Sequence, residues 1–120
     1  MSSILLVDDE PNILMSLEYA FKKQGYKVFI ARDGEEALEI AQKHCPKIVV
    51  LDVMMPKLDG YETLKTMKSY ACMSQTKFVF LSAKTKDSDI AYGLSIGADK
   101  YFSKPFSMKK LIDEIKLLLI

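Results

Sequence analysis

Five short apolar runs alternate with five longer segments of helical periodicity, and this alternation restricts the fold more than any other feature of the chain. Residues 4–7, 27–31, 48–51, 78–81 and 101–102 are strand-sized. Their mostly continuous apolar character, rather than strict alternation, marks strands covered on both faces. The first intervening segment opens at Pro11, suited to a helix's first turn, and carries Ile13, Leu14, Leu17, Ala20 and Phe21 on one stripe until Gly25 stops it. The second follows Asp33-Gly34 with Ala37, Leu38 and Ala41 inward, and the third begins near Gly60 with Leu64 and Met67. The fourth is predicted from about Asp87 to Gly97 with Ile90, Ala91 and Leu94 inward. The fifth follows Ser107, an N-cap, with Leu111, Ile112, Ile115, Leu118 and Leu119 at helical spacing. A (βα)5 order implies an α/β, doubly wound fold: a five-stranded parallel sheet with helices on both faces. No internal repeat or linker interrupts it, so residues 1–120 read as one domain.

The polar residues that end those apolar runs carry the chemistry. The first run ends in Asp8-Asp9-Glu10, the third in Asp52, the fourth in Ser82 and the fifth in Ser103-Lys104-Pro105. Doubly wound sheets bind ligands outside the carboxyl ends of their strands, where strand order reverses. If strands one, three, four and five are neighbours, their ends gather several carboxylates, a hydroxyl and an ammonium in one shallow cleft. Carboxylates so close repel each other and push a pKa up unless a cation joins them. Mg²⁺ is the natural choice, because one or two carboxylates, waters and a phosphoryl oxygen suit it. Three carboxylates (Asp8, Asp9 and Asp52) are balanced by Mg²⁺ and Lys104, leaving a neutral cluster able to accept a dianionic phosphate. Phosphoryl transfer asks chiefly for in-line positioning and stabilisation of the equatorial oxygens. Asp52 is the plausible nucleophile, since a carboxylate can form an acyl phosphate.

Composition narrows the function classes. Seventeen basic and 16 acidic residues give a net charge of +1. So even a balance argues against nucleic acid or an anionic membrane as direct partner. No apolar run approaches bilayer length, and no secretory leader precedes the first strand. Cys45 and Cys72 lack CxxC spacing and zinc-ligand neighbours. A disulfide between them is the less favoured reading, and a reducing cytoplasm the simpler one.

From residue 4 to about 118, these residues resemble the receiver domain of the two-component response regulators. Asp8-Asp9 is similar to the family's metal-binding acidic pair, and Asp52 to its phosphoacceptor, in a stretch containing Met55-Pro56 and Asp59-Gly60. The resemblance implies a flavodoxin-like strand order of 2-1-3-4-5 and a further metal ligand in the backbone carbonyl of Met54. Ser82-Ala83 resembles the hydroxyl and small-residue pair that contacts the phosphoryl group, the latter through its backbone. Tyr101 resembles the aromatic switch residue that works with Ser82, and Lys104-Pro105-Phe106 the Lys-Pro motif with its cis peptide. The family implies a sensor histidine kinase or phosphotransfer protein as phosphodonor, and a read-out face formed by the fourth helix, fifth strand and fifth helix. It further implies a downstream protein or fused effector domain, and in some members a phosphorylation-dependent dimer. Lys100 stands where dimerising, DNA-binding relatives often carry an acid, which counts against that mode of dimer.

Blander readings exist for each residue. Asp8 and Asp9 could merely cap the first helix, Asp52 and Ser82 could be turn residues, and Lys104 an ordinary solvated lysine. Tyr101 could be packing, and His44 fits the end of the second helix, where a partial negative charge welcomes it. Two other functions compete. A magnesium-dependent aspartyl-phosphate phosphatase of the haloacid dehalogenase type needs a second acid two residues after its nucleophile, where Met54 stands. A flavodoxin-type flavin carrier would find its phosphate repelled by Asp8-Asp9-Glu10.

Overall fold

A computed structural model describes residues 2–120. Strands β1 (Ser3–Val7), β2 (Lys27–Ala31), β3 (Ile48–Leu51), β4 (Lys77–Ser82) and β5 (Lys100–Ser103) alternate with helices α1 (Pro11–Lys23), α2 (Gly34–His44), α3 (Gly60–Lys68), α4 (Asp87–Ser95) and α5 (Met108–Leu118). All strand pairs are parallel, in the order β2-β1-β3-β4-β5. The chain winds one way from β1 to β2 and then back past β1 to β3, so the switch point lies between β1 and β3.

Continuous apolar strands follow from the two layers. One side chain of each pair enters the cluster under α2, α3 and α4, which contains Leu5, Val7, Val49, Leu51, Phe78 and Phe80. Its neighbour along the strand enters the other cluster, where Ile4, Leu6, Ile48, Val50, Val79 and Leu81 meet Leu14, Leu17 and Phe21 of α1 and Leu111 and Ile115 of α5. Strand periodicity of two thus sends both alternating sets into apolar surroundings.

Local chemistry sets the helix starts. Asp33 caps α2 by accepting from Glu36 N at 2.8 Å, Asp59 caps α3 through Glu62 N at 2.9 Å, and Ser107 caps α5 through Lys110 N at 3.2 Å. The helix α1 begins with Pro11 after Glu10 and has no side-chain cap, so neither Asp8 nor Asp9 is used that way. At Gly60 a Cβ would overlap the Asp52 carbonyl oxygen, and this close approach seats the start of α3 against the end of β3.

Two sequence expectations change. The helix α4 ends at Ser95, not Gly97, and its inward residue is Gly93, with Ile90 half-buried. Ala91 and Leu94 face solvent. The reason is long-range: a Cβ on Gly93 would lie 2.9 Å from Tyr101 Cδ2 and 3.1 Å from Phe80 Cδ2, so two rings fill the space an inward alkyl side chain would take. Cys45 and Cys72 are joined in a disulfide, contrary to the favoured reading of two separate thiols.

Candidate functional site

The strand ends converge as the sequence implied. Asp8 follows β1, Asp52 follows β3, Ser82 closes β4 and Lys104 follows β5, all at the carboxyl edge of the sheet. Asp8 and Asp52 flank the switch point, only 2% and 4% exposed, and Ser82 is fully buried. Lys104 reaches in from β5: its Nζ lies 2.8 Å from Asp8 Oδ2, 3.3 Å from Glu10 Oε1 and 3.5 Å from Asp52 Oδ2. The Lys104-Pro105 peptide is cis. Lysine buried to this extent is uncommon without partners, and here it has three.

Backbone donors complete the cradle. Asp8 Oδ1 accepts from Glu10 N at 2.9 Å, and Asp52 Oδ1 accepts from Met54 N at 3.3 Å. Ser82 Oγ accepts from Lys84 N at 3.1 Å. Every buried side-chain polar atom among the described residues has a partner.

The electrostatics are those of a cluster short of positive charge. Burial, and then the charge of Asp8, push the Asp52 carboxyl up to about 6, against the opposing pull of Lys104 and the Met54 N–H. Burial also raises Asp8, despite its hydrogen bonds from Lys104 and Glu10 N. Burial by itself would lower Lys104, yet the surrounding carboxylates outweigh it and hold the ammonium above its ordinary range. One lysine therefore serves three carboxylates.

Asp8, Asp9 and Glu10 can each present an oxygen within 4.8 Å of one another. This all-oxygen donor set fits a hard divalent cation and offers nothing to a soft one. The sequence places Glu10 beside the acid pair but assigns it no separate role. Its contact with Lys104 depends on a lysine 94 positions away.

Tyr101 is half-buried in β5, tilted against Phe80 at 5.7 Å, and its hydroxyl donates to the Lys84 carbonyl at 2.6 Å. It thereby ties β5 to the loop that follows Ser82. Lys84 Nζ sits 3.6 Å from Asp89, and Met54 is 58% exposed. A cavity of about 420 Å³ opens between them, bounded also by Met55, Asp59 and Tyr61. Ala83 is exposed beside Ser82. Lys100 pairs within the chain, its Nζ 3.8 Å from Glu114 of α5. His44 ends α2, stacked on Phe29 at 4.3 Å and remote from the carboxylates.

A parallel five-stranded sheet of this order, with an acid pair, an isolated aspartate, a hydroxyl and a lysine at its carboxyl edge, defines the receiver class of signalling domain. Residues 4–116 match the profile of the response regulator receiver domain, and the chain belongs to that family. It is 43% identical over 116 residues to the alkaline phosphatase synthesis transcriptional regulatory protein PhoP of Bacillus subtilis, covering 97% of this chain and 48% of that protein. It is 40% identical over 119 residues to the response regulator SaeR of Staphylococcus aureus, covering 99% of this chain and 51% of that one. The chain thus spans about half the length of these relatives. Among solved structures, chemotaxis protein CheY4 of Vibrio cholerae superposes with a TM-score of 0.92 at 30% identity over 98% of both chains. The BeF3-activated DrrB receiver domain gives 0.90 at 32% identity, over 99% of this chain and 97% of that one. Nothing in these likenesses favours the phosphatase alternative. No helix among the described residues is long and apolar enough to cross a membrane.

Proposed function

We propose that residues 1–120 act as a phosphorylation-switched receiver domain, with Asp52 accepting a phosphoryl group from a histidine kinase or phosphotransfer protein. The observation that carries this reading is the convergence of Lys104 on Asp8 and Asp52, 2.8 and 3.5 Å away, at the switch point of the sheet. In the reaction an Asp52 oxygen attacks phosphorus, the bond from phosphorus to the donor's imidazole nitrogen breaks, and the imidazole keeps the electron pair and takes up a proton. Lys104 turns towards the equatorial phosphoryl oxygens, and Ser82 Oγ–H and the Ala83 N–H donate to others. These groups stabilise charge without covalent chemistry of their own.

Asp8, Asp9, Asp52 and the Met54 carbonyl would hold Mg²⁺, which when bound would, with Lys104, balance those three carboxylates and draw charge from the transferred phosphoryl group. Glu10 adds a carboxylate at the rim. The domain catalyses only its own phosphorylation and dephosphorylation and is not a turnover enzyme.

Read-out runs through α4, β5 and α5. Tyr101 OH holds the loop after Ser82, so movement of the Ser82 hydroxyl towards a phosphoryl group changes the Tyr101 ring's surroundings and the face it borders. The two arrangements need differ by only a few kcal/mol for modification to shift the population. A downstream protein or fused effector then reads that face, in the cytoplasm. Likeness to a transcriptional regulatory protein favours gene control as the output of the longer protein. Lys100, which pairs with Glu114 within the chain, stands where an acid-dependent dimer would need an acid, and this counts against that mode of dimer.

The test is incubation with a small acyl phosphate, with and without Mg²⁺, followed by intact mass measurement. One added phosphoryl group, dependent on Mg²⁺, is expected. Equal labelling of Asp52→Asn would overturn the assignment.

A further inference from the structure

Cys45 and Cys72 are separated from Asp52 and Ser82 by the full length of β3 and β4. We propose that they form a reversible thiol–disulfide couple, a redox-modifiable site distinct from the phosphoacceptor cluster. Cys45 is the C-cap of α2, in the left-handed region at φ 45°, and Cys72 lies in the 3₁₀ turn Ala71–Met73 that leads into β4. Their Cα atoms are 5.8 Å apart, within the span a disulfide bridges without backbone movement.

What makes the couple reversible is that the joint is held without the sulfurs. Thr76 Oγ1 donates to the Pro46 carbonyl at 2.7 Å in a buried bond, and Lys77 N donates to the Lys47 carbonyl at 3.0 Å. Met73, next to Cys72, is buried in the cluster that Ala41, on α2, also joins. Reduction therefore leaves the two thiols side by side, at the high effective concentration that favours closing the bond again. Nor does the fold depend on the link. Domains that need a disulfide lack an adequate core, whereas here apolar clusters cover both faces of the sheet.

Access is asymmetric. Cys72 is exposed and Cys45 half-buried. A small thiolate attacks Cys72 Sγ, the Cys72–Cys45 bond breaks, and Cys45 leaves as thiolate and takes up a proton. A second thiolate then attacks the small-molecule sulfur of the mixed disulfide, releasing Cys72 and a low-molecular-weight disulfide. Oxidation is the reverse, with that disulfide as oxidant. The proposal rests on the reading of a cytoplasmic receiver domain, because disulfides in a thiol-buffered interior are transient or redox-sensing rather than static.

The test equilibrates the native protein in glutathione buffers of graded redox ratio, then alkylates free thiols and reads the intact mass. The couple predicts a population that passes from two free thiols to none while the domain stays folded and monomeric. The reduced form should melt about 10 °C lower, from the 27-residue separation of the cysteines. Acyl-phosphate labelling of Asp52 should agree between the two states to within about twofold, as for sites without shared partners. Cys45→Ser should take up one glutathione on Cys72, and Cys72→Ser much less. Two free thiols persisting in fully oxidised buffer would overturn the couple. So would a disulfide that a small dithiol reduces only after denaturation. Loss of labelling in both redox states, with the thiol titration as expected, would support the couple and overturn the phosphoacceptor reading.

Discussion

Asp52→Asn should stabilise the metal-free domain, and by an amount that depends on pH in a defined direction. Asp52 is 4% exposed, and its carboxyl is pushed from 3.8 up to about 6 by burial first and the Asp8 charge second. Between pH 4 and 6 the folded state therefore holds more protons than the unfolded chain. Stability falls as pH rises through that window and stays reduced above it. A shift of about two pKa units at about 1.4 kcal/mol each amounts to about 3 kcal/mol. Asparagine keeps the volume, still accepts from Met54 N–H and carries no charge, so it loses this penalty. The rise at Asp8 comes chiefly from its own burial and remains in both proteins. The assay is urea unfolding of the two proteins in chelator from pH 4 to pH 8. Near pH 4 the midpoints should be close. At pH 8 the variant should lead by about 2 M, taking a slope of about 1.5 kcal/mol per M for a domain of this size. Added Mg²⁺ at pH 8 should close much of the gap by stabilising the parent protein. Parallel pH profiles, or a variant less stable at pH 8, would refute the picture of a carboxylate held against repulsion.

Four other variants probe separate parts of the site and the fold. Asp9→Asn should weaken Mg²⁺ binding at least tenfold by removing a ligand charge, whereas Lys104→Ala should leave it unchanged or tighter while impairing phosphorylation. A fluorescence or calorimetric titration in which Lys104→Ala loses as much affinity would contradict that division. Gly93→Ala should destabilise by about 1–3 kcal/mol in thermal melts, because its methyl meets the Tyr101 and Phe80 rings. The opposite sign, the gain of up to about 1 kcal/mol that alanine brings to an open helix site, would mean those rings lie elsewhere. Phospho-Asp52 should persist for minutes or more. Met54 and Lys84, two residues after Asp52 and Ser82, line one cavity, and neither is suited to orient an attacking water. Met54→Asn/Lys84→Glu should shorten that lifetime in a mass-resolved decay, and identical decay would show that these positions do not set the rate.

The parts of the structure legible in the sequence were those with local causes. Continuous apolar strands announced burial on both faces, and Ser107 announced the start of α5. The polar strand ends gave the cluster once a parallel sheet was assumed, because topology alone carries Asp8, Asp52, Ser82 and Lys104 to one edge. What stayed hidden depends on contacts between distant residues. The helix α4 has a weak apolar stripe, and Gly93 faces inward only because Tyr101 and Phe80 fill its side of the interface. Cys45 and Cys72 meet because Thr76 and Pro46 lock two turns together, a contact that no spacing rule signals. The ion pair of Glu10 with Lys104 forms only once the sheet brings the ends of β1 and β5 to one edge.

The central claim is that Asp52, and no other carboxylate of the cluster, carries the phosphoryl group. Borohydride reduction of the phosphorylated protein converts an acyl phosphate to the corresponding alcohol, so the modified aspartate is marked as homoserine in a digested peptide. The account predicts homoserine at position 52 alone, and only when Mg²⁺ was present during labelling. Homoserine at position 8, 9 or 59, or in the metal-free control, would contradict it.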